Sequence, residues 1–276
     1  MVDAYKENSI TLTGAVAMGT GVMIGAGIFA LTGQIAELTG PLFPLSFVVG
    51  AIVTAFSAYS YIKMSNAYPS AGGIAMILEK AYGPTTVAAG ASLLMALSMV
   101  INESLVARTF DTYTLRAFGG DADSVLVPVL GVGLIVFAYL VNASGTRSVG
   151  LVSIVMAVLK VGGIALFGVS ALWASGLSFE VSGGEAGATG FVASVALSIL
   201  AFKGFTTITN SGAEVTDPHR NVGRAIILSI AICVVVYLLV AFAVGSSLPL
   251  DRIVAAKDYA LAEAAQPALG QTGFYL

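Results

Sequence analysis

The sequence predicts an all-α integral membrane protein whose first and sixth spans are interrupted. Two observations set the class and a third sets the architecture. Of the 276 residues, 57% are hydrophobic and 10% charged, with a mean hydropathy of +0.94. A water-soluble domain carries roughly 25% charged residues to cover its surface, so the solvent that suits this chain is lipid. Stretches long enough to cross a bilayer, about 20 residues, recur seven times, near 11–38, 42–63, 84–106, 124–142, 149–173, 189–212 and 222–247. The third observation is a pair of weak points, one in span one and one in span six.

Span one contains "TGVMIGAGIF", residues 20–29, with Gly21, Gly25 and Gly27 at the centre of an apolar segment. Each glycine costs about 1 kcal/mol relative to alanine in a helix interior. Span six contains "SILAFKGFTTITNSGAEV", residues 198–215, with Gly204 beside Lys203 and a run of hydroxyl and amide side chains after it. Interrupted segments at matching places in two halves of a chain point to an inverted-repeat transporter. Non-helical backbone at membrane depth is tolerated where it lines a cavity or is buried in protein. It offers N–H groups at the start of one half-helix, which attract a carboxylate, and carbonyls at the end of the other, which attract an ammonium group or a cation. An α-amino acid carries both groups on one carbon. The competing reading of the span-one glycines is close helix packing.

Composition also bounds the partners. The net charge of −3 implies no nucleic-acid partner. Cys233, the single cysteine, lies in an apolar run and reads as a small buried hydrophobe. The start "MVDAYKENSI" lacks the basic region of a signal peptide, so span one is expected to act as the insertion signal. Six Lys and Arg (Lys6, Lys63, Lys80, Arg147, Arg220, Arg224) fall on the N-terminal side and four (Arg108, Arg116, Arg252, Lys257) on the other. This bias predicts a cytoplasmic N-terminus in the plasma membrane. No cofactor or metal site is expected. One cysteine and one histidine make no ligand cluster, and no span holds the paired aspartates or the serine with histidine of an intramembrane protease. An enzyme is therefore not expected.

The segments "TGVMIGAGIFALTG", "GPLFPLSFVVGAIVTAFSAYSYIKMSNAYPSAGG" and "AFKGFTTITNSGAEVTDPHRNVGRAI" resemble the amino acid–polyamine–organocation superfamily of permeases. The family pattern is G-x-G-I-F in span one, a Y-P-x-x-G-G loop after span two, and F-x-G-F followed by E-x-x-x-P-x-R-x-x-x-R-A-I after span six. The resemblance implies the five-plus-five inverted repeat of the leucine transporter. On it, residues 1–175 form the first five-span repeat and 176–276 part of the second, truncated after spans six, seven and the start of eight. It implies a secondary active transporter for amino acids. The alternative left open is a non-transporting fragment, or a structural or channel-like membrane subunit.

The resemblance also assigns residues. The substrate's carboxylate is expected on N–H groups of Ala26, Gly27 and Ile28, and its amino group on carbonyls of Val22, Met23, Ala201 and Phe202. Ile24, Gly25, Lys203, Gly204 and Thr206 complete the site, and Gly27→Leu is expected to abolish binding. In proton-coupled and sodium-independent members a span-five lysine stands where others hold sodium. Carried over, Lys160 reaches carbonyls around Gly21 and Val22 and makes transport proton-coupled or sodium-independent. From the residues alone, Lys160 lies about eleven residues into span five, roughly 17 Å, too deep to snorkel. Glu103 reads as an end residue of span three, and Lys203 as pointing to an inner vestibule. Glu214, Arg220 and Arg224 read as a gate-side ion-pair network or as markers of the inner face. Pro218 is expected to stop span six, and His219 to lie at the surface. With no acid in either interruption, a cationic substrate is less favoured than a neutral one.

Overall fold

The computed structural model describes residues 9–118, 125–144, 146–174 and 187–270. Lys6, which counts toward the expected orientation, lies outside them, as do Asp121, Asp123, Glu180, Glu185 and residues 271–276. The described residues are helical throughout, apart from short connections and an isolated bridge between Ile10 and Val215. Span one is α1 (Leu12–Val22) and α2 (Ile28–Thr39), joined through the π-helical turn Met23–Gly27. A short 3-10 turn, Gly40–Leu42, then leads into α3 (Phe43–Ala67). The 40 residues from Ile28 to Ala67 span about 60 Å at 1.5 Å per residue. That is twice the hydrocarbon thickness, so the chain must turn, and it does so at Gly40, where φ is +60°. An L side chain rarely adopts that backbone.

A short amphipathic α4 (Gly73–Tyr82) follows, then α5 (Thr86–Ala117), α6 (Leu126–Ala143) and α7 (Thr146–Ala174). Span six is α8 (Ala188–Phe202), a 3-10 turn Lys203–Phe205, and α9 (Thr206–Asn210). Span seven is α10 (Pro218–Ser247). Beyond it, α11 (Leu250–Ala255) and α12 (Ala260–Leu269) fold back over the end of the bundle. Four stretches are both long and apolar enough to cross a membrane, in Ile28–Ala67, Thr86–Leu115, Ala188–Asn210 and Pro218–Ser247, and three shorter apolar helices accompany them.

Two expectations are corrected. Span three continues past residue 106 to Ala117, which places Glu103 well inside a 32-residue helix and Arg108 and Asp111 on it. Pro218 does not stop span six. It is the first residue of α10, where its missing N–H costs no intrahelical bond. Asp217 before it takes φ +47°, the one left-handed non-glycine residue among those described. Its carbonyl accepts from the N–H groups of Arg220 and Asn221.

α10 packs along α3, and α8 lies across both α2 and α3. α1 packs on α9 and α2 on α8, so spans one and six run antiparallel, crossing where each is interrupted. Small residues allow these approaches. The buried hydroxyls of Ser46 and Ser194 meet at 2.7 Å between α3 and α8. A Cβ on Gly50 would stand 2.6 Å from Ser198 Cβ, and one on Gly190 would run into the Leu38 carbonyl. Lipid supplies no hydrophobic drive between helices, so this close packing carries their association.

At the end of the bundle where α1 begins, the Ile10 N–H donates to Glu214 O at 2.9 Å and the Thr216 N–H to Ile10 O at 2.8 Å. His219 Nδ1 lies 2.7 Å from Asn66 O, exposed as expected. At the opposite end Lys257 pairs with Glu37 at 2.5 Å, and the Lys257 carbonyl lies so close to Gly33 that a Cβ there would strike it. Replacing Gly190 by Val should separate α8 from the end of α2 and destabilise the bundle by about 1–3 kcal/mol, read as a lowered Tm of the detergent-solubilised protein. A Tm equal to the parent's would show that this contact does not hold the two helices.

Candidate substrate site at the crossing of spans one and six

The two interruptions are tighter than an unwound segment. In span one, Ile24 alone leaves helical backbone (φ −76°, ψ +23°). The Met23 N–H still donates to Gly19 O and Thr20 O, and the Ile28 N–H to Gly25 O. In span six Phe202, Lys203, Phe205 and Thr206 keep right-handed helical angles, and the turn is narrowed to 3-10. The Thr206 N–H reaches Lys203 O and Gly204 O, and its hydroxyl donates to Lys203 O at 3.0 Å. A π-turn and a 3-10 turn keep backbone groups paired in a place that water does not serve.

The interruptions touch. A Cβ on Gly204 would meet Met23 N at 2.8 Å and Val22 Cγ1 at 3.0 Å, and one on Gly27 would meet Ala201 O at 2.7 Å and Ala201 Cα at 3.0 Å. Between them stands Tyr237 of α10, fully buried. Its hydroxyl lies 2.5 Å from Met23 O and 2.9 Å from Ala201 O. A phenol has one proton to donate, so two carbonyls, one from each interrupted span, share it. Phe202 and Phe47 flank the ring, with centroids 4.9 Å and 5.5 Å away. Composition alone does not find Tyr237, which sits in the apolar run "VVVYLLV". The available signal is one hydroxyl in an otherwise apolar span, a group that needs a partner when buried.

A cavity of about 190 Å³ opens beside this crossing. Of the residues expected at the site, Val22, Gly27, Ala201, Lys203, Gly204 and Thr206 line it. Met23, Ile24, Ile28 and Phe202 are buried in the core behind it. The side chain of Ala26 is outside the described set. α5 completes the wall with Met99, Asn102 and Glu103, so an acid does face the cavity, although neither interruption contains one. A second cavity of about 280 Å³ lies between α3, α5 and α8, and Leu200, Lys203 and Thr206 form the partition between the two. Lys203 therefore lines both cavities, where the sequence alone reads it as pointing away into an inner vestibule. Its ammonium group donates to Ser98 Oγ of α5.

Lys160 lies at the midpoint of the 29-residue α7. Its Nζ is 3.2 Å from where a Cβ of Gly25 would be, while a Cβ on Gly21 would meet nothing within 4 Å. The lysine thus stands against the π-turn itself. No ion pair joins Glu214 to Arg220 or Arg224 among the described residues. Both arginines are exposed, and Glu214 contributes its carbonyl to the Ile10 pairing.

The description "Amino acid permease" fits residues 10–276. The chain belongs to the amino acid permease family. An uncharacterized protein of Methanocaldococcus jannaschii is 32% identical over 98% of this chain and 62% of its own length. The inner membrane transport protein YbaT of Escherichia coli is 28% identical over 96% of this chain and 62% of its own. The branched-chain amino acid permease BcaP of Lactococcus lactis is 26% identical over 85% and 55%. The chain spans about three-fifths of the length of the first two relatives. As a permease-family chain with several membrane-capable helices, it is a membrane protein.

Two substitutions probe the crossing. Tyr237→Phe keeps the ring and removes the shared proton, leaving Met23 O and Ala201 O short of a donor. The cost should be about 1–3 kcal/mol, seen as a lower Tm in detergent, and an unchanged Tm would show the bridge to be dispensable. Gly27→Ala should cost a comparable amount, because its methyl group meets the Ala201 backbone and the Tyr237 hydroxyl. For the same reason loss of binding in Gly27→Leu would report helix separation as much as a blocked carboxylate site.

Proposed function

We propose that this chain forms the substrate site of a secondary amino acid permease, with the amino acid held where spans one and six cross. The observation that carries the reading is the contact of the two interrupted turns beside a polar-lined cavity, bridged by Tyr237. The amino group would sit near Met23 O and Ala201 O, whose acceptor capacity one phenolic proton does not exhaust, with Val22 and Phe202 carbonyls adjacent. The carboxylate would meet the N–H groups at the start of α2, at Ala26, Gly27 and Ile28. This requires the bond from the Ile28 N–H to Gly25 O to open, so binding and local unwinding would be one event. Ile24 and Gly25 are the pivot, with Gly204 and Thr206 as the facing wall.

The packing of span one on six and of two on seven supports an inverted repeat, since each span then contacts its counterpart five places later. Alternating access would rock these paired spans about the crossing. In the proposed orientation the N-terminus is cytoplasmic in the plasma membrane. The pairing of Ile10 with the segment around Val215 closes the inner side, and Arg220 and Arg224 face the inner leaflet.

Lys160 is proposed as the resident cation of the site. Its ammonium stands beside Gly25 at mid-helix depth, and intramembrane charge marks an ion or proton pathway by default. Transport would then be proton-coupled or sodium-independent. Two measurements test the reading. A thermal-shift screen of the twenty amino acids should give at least one stabilising ligand. In proteoliposomes carrying the whole permease, uptake should follow an imposed proton gradient and ignore sodium, and Lys160→Ala should lose its response to that gradient. Strict sodium dependence, with Lys160→Ala behaving as the parent, would contradict the role given to the lysine.

A further inference from the structure

We propose that the side-chain end of the cavity is built for an acidic amino acid, with the Lys203 ammonium receiving the side-chain carboxylate. The inference rests on the amino acid reading above and narrows it. Lys203 sits in the 3-10 turn of span six, in the partition between the two cavities, and its Nζ is tied to Ser98 Oγ of α5. That bond spends one of three ammonium protons and, serine being neutral, none of the charge. No carboxylate lies within ion-pairing distance of Lys203 among the described residues. Glu103 lines the same cavity and forms no ion pair with Lys203. The Lys203 charge therefore stands on the cavity wall with a neutral hydroxyl as its hydrogen-bond partner and no paired carboxylate among the described residues. An uncompensated charge in that position is costly, and a substrate anion removes the cost.

Reach agrees with charge. Gly204, next in sequence to Lys203, packs on Met23 and Val22, so the residue that carries the ammonium adjoins the turn that would hold the α-carbon. A cavity of about 190 Å³ suits a small amino acid, and its Lys203 wall suits a side chain ending in a carboxylate. The two faces of the site then divide the work. The turns read the backbone of the amino acid, and Lys203 reads its side chain.

The test is a titration of the purified full chain with L-glutamate, L-aspartate, L-glutamine, L-leucine and L-lysine. L-Glutamate or L-aspartate should bind about thirtyfold or more tightly than L-glutamine, the change expected when one member of a desolvated charge pair is lost. Lys203→Met should erase that preference, with L-glutamine still bound, and Lys203→Arg should restore part of it. L-glutamine or L-leucine binding as tightly as L-glutamate would overturn the proposal, as would unaltered L-glutamate affinity in Lys203→Met. If the variant fails to fold, the selectivity of the parent chain decides. Neutral amino acids binding without an acidic preference would sink this inference alone, whereas no binding of any amino acid would sink the permease-site reading with it.

Discussion

A single phenolic proton at the centre of the bundle serves two carbonyls that belong to different spans. Tyr237 holds Met23 O and Ala201 O together, and much of the arrangement follows from that requirement. The two carbonyls approach one oxygen because Gly27 has no side chain to keep α2 from the Ala201 backbone. The interrupted turns meet because Gly204 has none to keep span six from Met23. The tyrosine ring is fixed by Phe47 and Phe202, so the hydroxyl has little freedom to leave. In hydrocarbon, a backbone group that loses its partner finds no water to replace it, so the crossing holds by hydrogen bonding as well as by shape.

The same economy explains why the interruptions are narrow. A fully unwound segment would present several unpaired N–H and C=O groups at once. A π-turn with one non-helical residue and a 3-10 turn keep most of them paired while shifting the register of each helix. The site is thus a place where both helices change register while most of their backbone groups stay paired. Two lysines belong to it, Lys160 against the π-turn and Lys203 in the 3-10 turn with its ammonium on Ser98 of α5.

Much of this was legible in the sequence because it depends on local signals. Apolar length marks the spans, and glycine clusters with a matching partner five spans later mark the two turns. The class of membrane helix bundle and the sites of interruption follow from those features. What was not legible depends on which residues face each other. Tyr237 is one hydroxyl in an apolar run, and nothing nearby shows that it points at two other spans. Span three reads as ending near residue 106 because Arg108, Asp111 and Arg116 look like loop charges, yet the helix carries them to Ala117. That error hid the position of Glu103 on the cavity wall. Lys203 likewise carries no directional signal in sequence, and its tie to Ser98 is a tertiary fact.

The central claim is that an amino acid is held by backbone groups at the crossing of spans one and six. Hydrogen–deuterium exchange of the detergent-solubilised protein, with and without a saturating amino acid ligand, tests it most directly. The account predicts ligand-dependent changes in exchange confined to the peptide covering residues 22–29 and the peptide covering residues 200–207. Altered exchange elsewhere with both of these peptides unchanged would contradict it.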